Sequence, residues 1–286
     1  MAAIQGHDNS DLIKNLIKID TICRILMIYK DIIFEKTETT AWLTLNKPQV
    51  MNALGKRTLL ELLSALEDIE NESTIAITVI RGAGGNFCTG MDKRELNNFN
   101  KSERSEFTQI ADKVFLKIAK FKKITLAVIS GYCLAGGLEL ALGCDLIIAE
   151  EKCKIGDGHI NLPGFVPNGG ASFQLPRIIG PRKAKELLLV GDFISGKEAE
   201  KIGLVNYAVP EAQLEQLLNT IVNKIADKSP IGLEYMKKLI NSNLNSDLES
   251  SLLMEHLAVN YLNTTEDYSE IITAMQQNRK PLFKGK

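Results

Sequence analysis

The chain has 286 residues, 45% of them apolar and 24% charged, with a formal net charge of −1. That length suits one large domain or two modest ones, and such a chain buries enough surface to need no disulfides. The near-zero charge argues against nucleic acid as the main partner, and no uncharged apolar run reaches the roughly 18 residues a membrane span requires.

In chain order, Leu12, Ile13, Leu16, Ile17, Ile22, Ile25 and Leu26 recur at helical spacing. Interleaved charges rule out a secretory core there, and three aspartates disfavour a mitochondrial transit peptide. Two readings of residues 1–28 stand: an extra helix ahead of the domain, or a translation start at Met27. From Tyr29 the sequence predicts a hairpin around Thr37–Thr40, a helix over 56–70 and a buried strand over 75–80. A glycine-rich loop, a helix over 105–121 and a second buried strand over 124–130 follow, then a glycine turn, a short helix and a strand over 145–149. Strands alternating with helices predict an α/β core with largely parallel pairing over 29–210. Residues 211–286 read as helices only.

Five cysteines (Cys23, Cys88, Cys133, Cys144 and Cys153) lack CxxC spacing, which predicts reduced, mostly buried thiols and a cytoplasmic setting. The histidines His7, His159 and His256 sit apart from any second ligand pattern, so no metal site is expected. Neither glycine loop matches the dinucleotide fingerprint or a Walker motif.

Two loops carry the chemistry. GGNFCTGMD and CLAGGLELALG each follow a buried strand, and their glycines let backbone N–H groups approach a ligand closely. The second opens a helix, whose free N–H donors and partial positive charge suit an oxyanion. Glu139 lies in the first turn of that helix amid Leu138, Leu140, Ala141 and Leu142. Desolvation there raises a carboxyl pKa, which fits a general base or acid, while a carboxylate complementing the helix dipole fits the same position. Asn168–Gly170 reads as a plain helix N-cap. Cys88 and Cys133 read as packing residues.

These residues resemble the enoyl-CoA hydratase/isomerase, or crotonase, superfamily. LNKPQVMNAL (45–54), FCTGMDKREL (87–96), GYCLAGGLELALGCDLIIA (131–149), VPNGGASFQLPRIIG (166–180) and RKPLFKGK (279–286) follow the family's motifs in order from Tyr29 onward. The resemblance implies an α/β fold of stacked ββα units forming a spiral, with a C-terminal helical region used in trimerisation, in homotrimers or hexamers. It implies an acyl-CoA thioester substrate, with coenzyme A arriving on the substrate and no permanent cofactor. By the same resemblance, the backbone N–H groups of Met91 and Gly136 form the oxyanion hole. Ala53, Thr89, Gly90 and Met91 line the coenzyme, Lys93 or Arg94 meets its phosphates, and Glu139 is the first catalytic glutamate.

The sequence departs from the family where a second catalytic glutamate belongs. Counting twenty residues on from Glu139 gives His159; counting back from Pro167 gives Ile160, with one residue such as Pro163 inserted. His159 can carry a proton near neutral pH, or only hydrogen-bond within its loop; Asp157 is a weaker candidate for the missing acid and reads rather as a turn former. Hydration or dehydration of a 2-enoyl-CoA is the first expectation. The alternatives are another enolate reaction using His159 (decarboxylation, C–C hydrolysis or isomerisation) and an acyl-CoA-binding protein with little turnover.

Overall fold

A computed structural model describes residues 29–162 and 165–286; the helix and start site expected within 1–28, and Pro163, lie outside the described residues. The hairpin forms as expected, with β1 (Ile32–Lys36) antiparallel to β2 (Thr40–Leu45) and the Thr37 amide donating to the Thr40 carbonyl. β2 then pairs in parallel with β3 (Ile77–Gly82), β3 with β4 (Ile124–Ile129), β4 with β6 (Leu146–Glu150), and β6 with β9 (Tyr207–Val209). The resulting main sheet has the order β1-β2-β3-β4-β6-β9.

Both faces of this sheet are covered, which explains the unbroken apolar runs in its strands. Ile77, Val79, Leu126, Val128 and Ile148 face Leu214, Leu218 and Val222 of the helix Glu211–Ala226. The alternate residues Ile80, Ala127, Ile129, Ile147 and Ala149 belong to the larger core. The helix α1 (Lys56–Asn71) buries Leu59, Leu62, Leu66 and Ile69 on that side, each worth about 1.5–3 kcal/mol. Leu60, about 100° round the helix from Leu59, is exposed instead.

A second, three-stranded sheet was not legible in the sequence. β5 (Tyr132–Leu134) pairs in parallel with β7 (Lys154–Gly156), which pairs antiparallel with β8 (Ile194–Ser195). Single-residue bridges Cys88–Cys133 and Leu54–Met91 extend the same layer. The chain therefore repeats one circuit: a main-sheet strand, a short extended segment in the second layer, then a helix. β4, β5 and α4 (Gly136–Leu142) make one circuit, preceded by β3, the Cys88 segment, α2 (Lys93–Asn98) and α3 (Lys101–Ala119). β6 and β7 begin the next, which ends in α5 (Ala171–Val190), kinked at Gly180–Pro181. Each circuit brings a glycine-bearing loop to the same layer at the start of a helix.

After α5 come α6 (Gly196–Lys201), α7 (Glu211–Ala226), α8 (Pro230–Asn243), α9 (Leu248–Leu262) and α10 (Glu266–Gln276). α9 carries Leu248, Leu252, Leu253 and Leu257 exposed at 76, 46, 60 and 60%. No helix among the described residues is long and apolar enough to cross a membrane.

Candidate active site

The two glycine loops zip together through their backbones. The Phe87 and Cys88 amides donate to the Ser130 and Tyr132 carbonyls, and the Leu134 amide donates back to the Cys88 carbonyl at 2.9 Å. Glycine is required where they meet. A Cβ on Gly137 would stand 2.2 Å from the Cys88 carbonyl oxygen, and Gly90 takes a left-handed φ of +95°. Asn52, itself at φ +57°, braces the first loop: its amide group donates to the Ala83 and Asn86 carbonyls while its oxygen accepts from the Lys47 amide.

This contact brings two unpaired donors close. A Cβ on Gly136 would lie 3.6 Å from the Met91 nitrogen. A Cβ sits about 2.5 Å from its own nitrogen, so the two amide nitrogens are at most about 6 Å apart. Two donors at about 2.9 Å from a shared oxygen span up to about 6 Å, so both can reach one atom. Among the described residues neither N–H donates to a backbone carbonyl. For Gly136 the reason is its place in the first turn of α4, where no earlier carbonyl is available. Ala135, the residue before it, holds φ 49° and ψ −121°. Such a strained backbone at a non-glycine residue costs about 1–3 kcal/mol and sets the direction in which α4 begins.

Glu139 is 2% exposed. Its Oε1 accepts the Gly169 amide at 2.5 Å, and its Oε2 is buried with no partner among the described residues. Burial drives its pKa up; the amides of Gly169 and Ala171 and the imidazole of His159 oppose the rise. The N-cap expected within Asn168–Gly170 forms at Gly170, at φ +101°, and the neighbouring Gly169 amide donates to the carboxylate, which the cap reading did not include. A side chain at Gly169 would meet Phe115 at 2.5 Å and Glu139 Oε2 at 2.7 Å. A cleft of about 1460 Å³ between α3, α5 and α8 reaches Glu139 and Asn168–Gly170; Met91, Gly136 and His159 lie outside its wall.

His159 is half-buried in the loop after β7, and its Nδ1 lies 2.8 Å from Asp157 Oδ1. Asp157, read from the sequence as a turn former, is 1% exposed and also accepts the His159 amide. The Asp157 hydrogen bond raises the His159 pKa, and the charge of Glu139 adds to it. Glu139, His159 and Asp157 thus share one electrostatic neighbourhood.

The residues matched to the coenzyme region divide. Ala53 is buried; Thr89 donates from both its amide and its hydroxyl to the Met51 carbonyl. Arg94 is engaged by Asp92, which accepts from Nε at 3.1 Å and Nη2 at 2.9 Å, and this contact holds the Asp92 carboxyl down to about 2. Lys93 stands exposed and within electrostatic reach of His159. Cys88 and Cys133 are fully buried, and burial pushes the Cys88 thiol up to about 12, as suits packing residues. The Gly169 amide and Asp157 are the contacts that sequence reasoning passed over. The signals for them were a third glycine junction, at Asn168–Gly170, and an Asp two residues before the histidine.

Residues 35–286 match the family model described as enoyl-CoA hydratase/isomerase. The chain is 35% identical to the crotonyl-CoA hydratase of Syntrophomonas wolfei, with 91% of this chain and 100% of that protein covered. It is 32% identical to the short-chain-enoyl-CoA hydratase of Clostridium acetobutylicum, with coverage of 89% and 97%. Among solved structures, the enoyl-CoA hydratase of Bacillus anthracis superposes with a TM-score of 0.85 at 32% identity, covering 90% of this chain and 100% of that one. Motif order, circuit and comparisons agree, and the chain belongs to the enoyl-CoA hydratase/isomerase family.

Proposed function

We propose that this protein is an enoyl-CoA hydratase acting on short-chain 2-enoyl-CoA thioesters. The carrying observation is the convergence of the Met91 and Gly136 amides, free among the described residues, with a buried glutamate, three residues on from Gly136, whose Oε2 has no partner among them. The hydratase names of its relatives from S. wolfei and C. acetobutylicum support the same reading.

The thioester oxygen accepts from both amides, each such donor being worth about 2.7–4 kcal/mol as charge develops. Glu139 Oε2 takes a proton from water as the water oxygen bonds to Cβ. The C2–C3 π pair moves to Cα, delocalised onto the thioester oxygen, and protonated His159 delivers a proton to Cα. Glu139 is left protonated and His159 neutral; transfer of that proton between them restores both, so the net change is addition of H and OH. The raised pKa of Glu139 makes it a better base than an ordinary carboxylate, and that of His159 keeps the imidazolium available near neutral pH. Ala53, Thr89 and Gly90 line the pantetheine, and Lys93 is the cation for the phosphates, since Arg94 is engaged with Asp92. Coenzyme A comes and goes with the substrate.

The exposed leucine face of α9 supports assembly into a homotrimer or a hexamer. Thiols that stay unpaired even where Cys88 and Cys133 bridge side by side suit the reducing cytoplasm.

The test is loss of the enoyl absorbance of crotonyl-CoA with wild-type protein and with His159→Ala. We expect turnover in the wild type and a loss of about a hundredfold or more in the variant, from the lower edge of acid–base contributions upward. A wild type that binds the thioester and never adds water overturns the hydratase reading in favour of a binding protein. Full activity in His159→Ala removes the histidine from the mechanism.

A further inference from the structure

We propose that Asp157 is a positioning residue: it fixes the proton of neutral His159 on Nδ1, so that Nε2 is the atom that exchanges protons with the substrate. This deepens the hydratase reading and rests on it.

The loop is built to hold this pair rigid. Asp157 Oδ1 accepts both from the His159 main-chain amide at 3.1 Å and from the ring nitrogen at 2.8 Å, so ring and backbone are tied to one oxygen. Gly158, at φ +66°, lets the chain fold back between the two residues. Phe193 clamps the turn from outside: a Cβ would meet its ring at 2.5 Å on Gly156 and at 2.9 Å on Gly158. Beyond the histidine, Asn161 donates to the Gly191 carbonyl at 2.9 Å, anchoring the other end of the short 3₁₀ turn His159–Asn161.

A carboxylate oxygen only accepts, so the facing Nδ1 must donate. Nε2 is then an acceptor in the neutral ring and a donor in the charged one, as a group that alternately gives and takes a proton must be. Three charged groups act on the ring. Asp157 from its own loop and Glu139 from α4 favour the imidazolium, while Lys93 from α2 opposes it. Removing the Asp157 charge while keeping its shape therefore lowers the pH at which His159 loses its proton. An asparagine at this position can also turn its NH₂ toward Nδ1, which moves the ring proton to Nε2 and leaves the wrong tautomer.

With only three histidines, at positions 7, 159 and 256, ¹⁵N-histidine labelling gives a spectrum that His159→Ala assigns. In the wild type we expect His159 to titrate above the ordinary value of about 6.5 and its neutral form to show the proton on Nδ1. In Asp157→Asn we expect the titration to fall by about one pH unit or more, the alkaline limb of kcat/KM to move with it, and kcat to drop about tenfold or more at nearly unchanged KM. A neutral wild-type ring protonated on Nε2 overturns the proposal, and this arm needs no variant of Asp157. An unshifted His159 titration in Asp157→Asn overturns it too. If His159 titrates as stated yet the wild type does not hydrate crotonyl-CoA, the pairing stands and the hydratase reading falls; the reverse pattern removes the pairing alone.

Discussion

Replacing Glu139 by glutamine keeps the side chain's shape and removes its charge. The oxygen that accepts the Gly169 amide at 2.5 Å can be retained, while the unpartnered Oε2 becomes an amide nitrogen. Loss of a general base typically costs 10²–10⁴ in rate, so kcat for crotonyl-CoA should fall at least about a hundredfold, equivalent to about 2.7 kcal/mol of barrier. Thioester binding should change little, because the Met91 and Gly136 amides are untouched. Stability should move differently. Burial raises the pKa of Glu139, so its folded value exceeds its unfolded one. The contribution of this group to stability is complete below the unfolded pKa and is lost as pH rises through the folded pKa. Glutamine has no such titration, so any stability gained by the variant should grow between mildly acid and neutral pH. Hydration kinetics and thermal melts at a series of pH values read both effects. Retention of more than about a tenth of wild-type turnover would refute the base assignment. A variant whose stability relative to wild type falls as the pH rises would refute the argument from desolvation.

Gly137→Ala places a Cβ 2.2 Å from a backbone oxygen that cannot swing away. Overpacking of this kind costs about 1–3 kcal/mol, so Tm should fall by about 2–4 °C per kcal/mol and activity should drop as the two amides separate; an unchanged melt and unchanged rate would contradict the loop geometry. Lys93→Ala should raise KM for crotonyl-CoA about two- to fivefold, the range of an exposed charge pair, while leaving KM for the phosphate-free pantetheine thioester unaltered. An equal change for both esters would remove Lys93 from phosphate binding. Thiol reagents should leave Cys88, Cys133 and Cys153 unmodified in the native protein and label them after denaturation, because each is at most 1% exposed and burial pushes Cys88 and Cys153 up to about 12. Rapid labelling without unfolding would contradict that burial.

Much of the fold was legible because its main sheet is made of long, locally specified signals. The apolar runs at 75–80 and 124–130, the helical leucines of α1 and the glycine junction before Glu139 announce themselves through period and composition. The second sheet did not, since β5, β7 and β8 are two or three residues long and exist only where distant segments pair. Asn168–Gly170 illustrates the same limit. Asn-Gly-Gly before a helix reads as a cap, which Gly170 supplies, but nothing local announces that the Gly169 amide donates to a carboxylate 30 residues earlier in the chain.

The sequence by itself determined the family, the order of the longer strands and helices, and the glycines at which two backbones meet, because these depend on local conformational freedom and apolar spacing. Tertiary structure alone decided which atoms became neighbours: the Gly136 amide beside that of Met91, Gly169 on Glu139, and Asp157 on His159. Burial and hydrogen bonding of that kind depend on the closing of the circuit, and no single segment of the chain carries the information before the layers pack.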